Sequence, residues 1–260
     1  MTFIIVTGGI DLSIGATMAL AAVVLGLSYS AGLNIWACCA LALMAGTAAG
    51  ALNGVFVAFV NVHPLIVTLA TLSAYRGIAE GVSGGRAVAE FPEAFVWIGR
   101  GDIAGMPVAG ILFAIAAIVA AIVLWKAPFG RSLYAMGFNE TATRFSGIKT
   151  RKIKFILYTL SGLSAAVAAC LFVGRRNTAK ADIGSGMELD VITAVVLGGT
   201  SIFGGRGRIL GTVLGVLLIH ETRQFVSWYW QDETLISLVI GVLLIVSVLL
   251  NSAFTPRGRE

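Results

Sequence analysis

The side chains equipped for chemistry sit at the edges of apolar stretches. Asp11, Glu188 and Asp190 each border a run of hydrophobic residues. A carboxylate at membrane depth is costly and marks a functional position by default. The competing role is structural, with each carboxylate near a helix amino terminus accepting backbone N–H groups. That role suits Asp11, which precedes Leu-Ser-Ile-Gly-Ala. Ser13, Asn53, Thr68 and Thr193 could hydrogen-bond a polar solute or a neighbouring helix. His63 stands in Asn-Val-His-Pro with no carboxylate nearby in sequence, and it reads as a turn residue. Cys38, Cys39 and Cys170 lie inside apolar runs without a Cys-x-x-Cys or Cys/His pattern. They read as small packing residues, not as metal ligands or a disulfide pair.

No catalytic motif organises these groups. His-Glu-x-x-His and a Cys/His pair are missing from the sequence. Gly205-Arg-Gly207-Arg-Ile-Leu-Gly211 is glycine-rich, but it lacks the dinucleotide spacing and the Lys-Ser/Thr of a phosphate loop. The expectation is a non-enzymatic chain with no cofactor and no metal. If it works in an energy-driven process, another subunit supplies the nucleotide chemistry.

The elements that must hold these groups are membrane helices. Of 260 residues, 58% are hydrophobic and 12% charged, against about 25% charged in a soluble domain. The mean hydropathy is +0.93. The apolar runs are continuous, which excludes the alternating strands of a membrane barrel. They cover residues 16–33, 36–60, 64–76, 108–125, 155–173, 209–219 and 234–251, with a shorter run at 189–203. The fold class is therefore all-α, a polytopic transmembrane bundle with about eight crossings, including broken or re-entrant helices. We treat residues 1–260 as a single domain. Gly46, Gly50 and Gly54 recur at every fourth position, and so do Gly207, Gly211 and Gly215. Such ladders let helix backbones approach closely.

The net charge of +5 does not indicate nucleic acid, because the basic residues cluster beside spans with no interleaved aromatics. The largest cluster is the interval 126–154. It carries Lys126, Arg131, Arg144, Lys149, Arg151, Lys152 and Lys154 against one carboxylate, Glu140. Lys and Arg near span ends resist translocation, so this loop is placed in the cytoplasm. Its interior, 137–148, reads as a short helix with small residues. The segment 80–107, the balanced segment 174–190 and the aromatic turn 220–233 are assigned to the outer face. Arg206, Arg208 and a tail bearing Arg257 and Arg259 are assigned to the inner face.

The amino terminus has no basic segment and no cleavage site, so it is not a signal peptide. Too few apolar residues precede Gly8-Gly9 to span a bilayer. As half of a broken helix it would carry its terminal ammonium to membrane depth, at a cost of several kcal/mol. The expectation is a misplaced start, a truncation, or an end not inserted as in a complete relative. Gly8-Gly9-Ile-Asp11-Leu-Ser13-Ile-Gly15 also echoes Gly198-Gly199-Thr-Ser201-Ile-Phe-Gly204-Gly205. Paired interrupted helices in two halves point to a transporter's substrate region.

The stretches GGIDLSIGA (8–16), GRSLYAMGFNETATRFSGI (130–148) and GMELDVITAVVLGGTSIFGGRGRILGT (186–212) carry a family resemblance. With them, the chain resembles the inner-membrane permease subunits of ABC sugar importers of the ribose, rhamnose and autoinducer-2 type. Members are longer by about two helices ahead of the first stretch. The resemblance implies a permease subunit of an ATP-driven, binding-protein-dependent importer, passing a monosaccharide across the bacterial inner membrane. It implies an ABC ATPase subunit, a periplasmic sugar-binding protein and a second permease copy or related permease as partners, all within a lipid bilayer. The ATPase-coupling helix then comprises Gly137, Asn139, Glu140, Ala142, Arg144, Ser146, Gly147 and Ile148. Asp11, Ser13, Asn53, Glu188 and Asp190 are implied to line the translocation pathway. The alternatives are a branched-chain amino-acid permease of the same architecture and a standalone secondary transporter or channel.

Overall fold

The computed structural model describes residues 1–230 and 233–254. The element order is α1 (Thr2–Val6), α2 (Ile14–Ser30), α3 (Ile35–Ala58), α4 (Pro64–Ser83), β1 (Val88–Ala89), α5 (Glu93–Arg100), β2 (Asp102–Ile103), β3 (Met106–Pro107), α6 (Val108–Lys126), α7 (Pro128–Phe138), α8 (Glu140–Phe145), α9 (Thr150–Arg176), β4 (Thr178–Ala179), α10 (Met187–Leu197), α11 (Ile209–Trp230) and α12 (Glu233–Phe254). The all-α expectation holds, since the strands are two-residue pieces. Among the described residues, α3, α4, α6, α9 and α11 are long and apolar enough to cross a membrane. Shorter apolar helices add α2 and the Leu238–Leu249 part of α12.

Helix ends follow local chemistry. The Asn34 side chain accepts the Trp36 N–H at 2.9 Å and starts α3. Pro64 opens α4, where a missing N–H costs nothing, and His63 is the turn residue before it. The α9 helix stops at Asn177 in the left-handed region, φ 54°. The Asn177 side chain accepts the Phe91 N–H at 2.9 Å, beside the antiparallel pairing of β1 with β4.

Two expected loops are helical instead. Residues 80–107 hold the last turn of α4, the helix α5 and the β2–β3 hairpin. The helix α5 buries Phe95 and Gly99 while Glu93 and Arg100 match its dipole. Its amphipathic pattern was hidden by the polar composition around it. The turn expected from His220 is also part of a helix, because α11 continues to Trp230. No Gly or Pro interrupts His220–Trp230, so hydrophobicity falls there without a backbone break. Gln231, Asp232 and the expected basic tail with Arg257 and Arg259 lie outside the described residues.

The chain forms two compact units. One comprises Ile10–Ala116 and Lys149–Glu188. At its centre α3 and α9 pack antiparallel through bare backbone. A Cβ built on Gly46 would lie 2.6 Å from Ala166 Cβ, and one on Gly50 would lie 2.9 Å from Gly162 Cα. The first glycine ladder is thus a packing ridge. Around it Leu25, Cys38, Ala42, Phe95, Ala166, Ala169 and Val173 make one buried core.

The other unit comprises Met1–Gly9, Ala117–Ile148 and Leu189–Glu260. Here α10 and α11 approach through Gly198, Gly211 and Gly215, the last seated against Ala194. The second glycine ladder therefore has the same use. Ala194, Ile219 and Ile240 form the adjoining core across α10, α11 and α12. The sequence echo also has a structural counterpart. A short helix, α1 or α10, ends at a Gly-Gly pair, and an irregular stretch precedes α2 or α11. The left-handed residue is Gly8 in the first copy and Gly199 in the second. The turns are thus offset by one position from the sequence match.

Candidate functional site

In the first unit the chain places Asp11 in the irregular stretch ahead of α2, where it is only 2% exposed. Its Oδ1 accepts the Ser13 backbone N–H at 3.0 Å and the Ser13 hydroxyl at 2.7 Å. Its Oδ2 accepts the Ser161 hydroxyl from α9 at 2.7 Å. Ser13 Oγ in turn accepts Asn53 Nδ2 from α3 at 2.8 Å. The Tyr75 hydroxyl from α4 lies 2.9 Å from the Ala49 carbonyl and 3.2 Å from Asn53 Oδ1. Tyr158 donates to the Ile10 carbonyl at 3.3 Å, one residue before Asp11.

The donors run in one direction, toward the carboxylate. Tyr75 can donate to Asn53, Asn53 donates to Ser13, and Ser13 and Ser161 donate to Asp11. An acceptor-only carboxylate is the group that such a convergence requires. A buried polar network is stabilising only when each member is satisfied, and here α3, α4, α9 and the cap residue of α2 supply the partners. Three of the five sequence-chosen residues, Asp11, Ser13 and Asn53, therefore meet in one cluster. Ser13, not Asp11, occupies the cap position of α2. Ser161, Tyr75 and Tyr158 were not anticipated. Nothing in the apolar runs around them distinguishes a network hydroxyl from one bonded to its own helix.

Glu188 and Asp190 sit in the first turn of α10 and have different surroundings. Glu188 Oε2 is buried without a hydrogen-bond partner among the described residues. It lies against Gly15 of α2, where a Cβ would approach to 2.5 Å. Asp190 belongs to the second unit and pairs with Arg223 of α11 at 2.5 Å.

The interior of the basic interval, 137–148, falls on two helices, not one. Gly137 ends in α7, and α8 is confined to Glu140–Phe145. Asn139 separates them with extended backbone, and its Oδ1 accepts the Ala142 N–H at 2.9 Å. One asparagine thus stops the first helix and caps the second. Thr143 turns inward, while Ala142, Arg144, Phe145, Ser146 and Gly147 are exposed, Phe145 to 87%. Gly147 has φ 85°, a left-handed conformation that disfavours any Cβ.

Behind α8, α7 is braced within the same unit. Gly137 lies against the Val6 carbonyl of α1 and against Gly205. The Gly205 N–H donates to that Val6 carbonyl at 2.8 Å. The Tyr134 hydroxyl donates to the Gly207 carbonyl at 2.7 Å. Burial pushes the Tyr134 phenol above its ordinary range, opposed by the nearby Arg208 charge, so it remains a neutral donor. Thr2 and Thr212 hydroxyls meet at 2.9 Å. The α7 helix that precedes the exposed helix is therefore held against the end of α1 and the stretch before α11.

A helical membrane chain with paired interrupted helices and an exposed, braced helix in a basic interval has the architecture of a transport-system permease. A family model described as the branched-chain amino acid transport system / permease component matches residues 1–248. The ribose import permease protein of Bacillus subtilis (strain 168) is 37% identical over 253 residues, covering 96% of this chain and 79% of that protein. The ribose import permease protein of Escherichia coli (strain K12) is 38% identical over 256 residues, covering 97% and 80%. The autoinducer 2 import system permease protein of Klebsiella pneumoniae (strain ATCC 700721 / MGH 78578) is 34% identical over 263 residues, covering 99% and 79%. No solved structure matches the chain. The chain belongs to this family of transport-system permease components.

Proposed function

We propose that this chain is the membrane permease of an ATP-driven importer that takes a small polyhydroxylated solute, a monosaccharide or a compound like it, from a soluble binding protein. Relatives named for ribose and for autoinducer 2 align over nearly its whole length. They favour this reading over branched-chain amino-acid transport or a standalone secondary transporter. ATP hydrolysis is assigned to a partner ATPase, and two permeases together enclose the pathway. The basic interval faces the cytoplasm of a bacterial cell, and the C-terminus lies on the same side of the inner membrane.

The observation that carries the coupling role is α8 itself. A capped six-residue helix presents Ala142, Arg144, Phe145 and Ser146 outward, with an aromatic ring that nothing in its own unit covers. Burying such a ring in a partner's groove contributes about 2 kcal/mol. Movement of the ATPase would pull on α8 and then on α7. The Gly137 and Tyr134 contacts would pass that pull to α1 and to the turn before α11. Short hydrogen bonds and bare backbone make this a stiff linkage.

For the pathway, the Asp11 cluster acts as a fixed frame, because its members hydrogen-bond each other. Glu188 has the open valence that a solute hydroxyl could fill, and Asp190 is held by Arg223. The test uses the permease in vesicles with its ATPase and binding protein. Glu188→Gln is expected to lower solute uptake several-fold while membrane insertion and ATP binding persist. Uptake equal to the parent's would remove Glu188 from the pathway.

A further inference from the structure

The two half-buried thiols of α3 and α9 take no part in the function proposed above. The register of these helices brings them together. Gly46 seats over the turn between Gly162 and Ala166, Gly50 over Gly162, and Gly54 over Phe155. Helices advance about 3.6 residues per turn. Two turns beyond the Gly46 seat, toward the start of α3 and the end of α9, the facing positions are Cys39 and Cys170. The antiparallel register of the two helices turns both side chains toward the same seam. Both pack against the core that holds Ala42, Ala165, Ala166 and Ala169, and these small neighbours keep the backbones close. The adjacent Cys38 points elsewhere. It is fully buried, with its Sγ 3.6 Å from the Leu33 carbonyl.

From this juxtaposition we propose that Cys39 and Cys170 are a dithiol modification site, oxidised to a disulfide that staples α3 to α9. All three cysteines are free thiols in the structure. A disulfide needs two side chains that face each other across closely packed backbones, and the glycine seats of α3 on α9 supply that close approach. Cys39 and Cys170 are only partly buried and lie near the start of α3 and the end of α9, the ends from which an oxidant would reach them.

The oxidant is itself a disulfide, either a small one such as oxidised glutathione or that of a protein oxidant. One cysteine thiolate attacks it, forming a mixed disulfide and releasing one thiol. The second cysteine then attacks the chain's own sulfur, forming the Cys39–Cys170 bond and expelling a second thiol. Two electrons and two protons pass from the chain to the oxidant. The bond closes a long loop, which constrains the unfolded ensemble. It requires only the α3–α9 packing and is independent of the transported solute.

The full chain, purified in detergent and reduced, would be exposed to oxidised glutathione, alkylated and digested without reductant. Mass spectrometry should find the Cys39 and Cys170 peptides linked, with Cys38 alkylated. The thermal unfolding midpoint should rise by roughly 5 °C and fall back on adding dithiothreitol. Cys38→Ser should keep both results, and Cys39→Ser or Cys170→Ser should lose both. Full alkylation of Cys39 and Cys170 after oxidation would overturn the proposal, as would a Cys38–Cys170 link. The parent chain's peptide map gives this answer whether or not a serine variant folds.

Discussion

Asp11 is the residue on which most of the first unit's polar chemistry converges, and its replacement should be severe. Asp11→Ala would strand the Ser13 and Ser161 hydroxyls in a buried setting, and each orphaned group costs about 1–3 kcal/mol. We expect a loss of at least ~2 kcal/mol, read as a lowered unfolding midpoint in detergent. A change below about 0.5 kcal/mol would contradict the convergence of donors on this carboxylate. Asp11→Asn keeps the shape but turns an acceptor into a donor facing another donor, so it should recover only part of the loss. Gly147 poses a separate problem. Because it sits at φ 85°, Gly147→Ala should cost about 1 kcal/mol from backbone alone. Any larger substituent there mixes strain with lost docking. Arg144 and Phe145, whose side chains are exposed, are cleaner probes of partner contact.

At the scale of elements, the α3–α9 ridge and the α7 brace make distinct predictions. Gly50→Leu would drive a side chain into the Gly162 backbone, and overpacking of this kind costs about 1–3 kcal/mol where the helices can separate. Lower folded yield, with α3 and α9 becoming protease-sensitive, would register it; unchanged yield and protection would refute the close approach. Tyr134→Phe removes the bond to Gly207 while leaving the ring packed, worth about 1 kcal/mol. It should lower uptake per ATP hydrolysed more than it lowers stability, and an unchanged ratio would argue that α7 does not transmit motion.

The element scale also separates what the sequence could reveal from what it could not. The main spans, both glycine ladders and the Gly-Gly echo were legible because small-residue spacing and long apolar runs have direct backbone consequences. Asp11, Ser13 and Asn53 were legible as polar groups at apolar borders. Their mutual bonds were not, since Ser161, Tyr75 and Tyr158 come from distant helices. The interval 137–148 looked like one short helix because its small residues run through Gly137. Asn139, serving both as stop and as cap, divides it. The helix α5 was missed because its eight residues lie in a polar interval rich in glycine and bounded by Pro92 and Gly101, and the continuation of α11 because hydrophobicity falls beyond His220 with no Gly or Pro to break the helix.

At the scale of the whole molecule, the chain is a membrane permease whose proposed coupling surface and proposed solute contacts lie in different stretches of sequence. Its proposed orientation is testable on intact cells. A cysteine placed at Lys152 should react with an impermeant maleimide only after the inner membrane is opened, and labelling before that would invert the topology. The central claim is that α8 couples ATP hydrolysis to uptake. The most direct measurement compares Arg144→Glu and Phe145→Ala with the parent in vesicles containing the ATPase and the binding protein, recording hydrolysis and uptake together. We predict that both variants insert normally, lose at least ~10-fold in uptake, equivalent to about 1.4 kcal/mol of lost coupling, and no longer stimulate hydrolysis with solute. Parent-level uptake and parent-level stimulated hydrolysis in both variants would contradict the account.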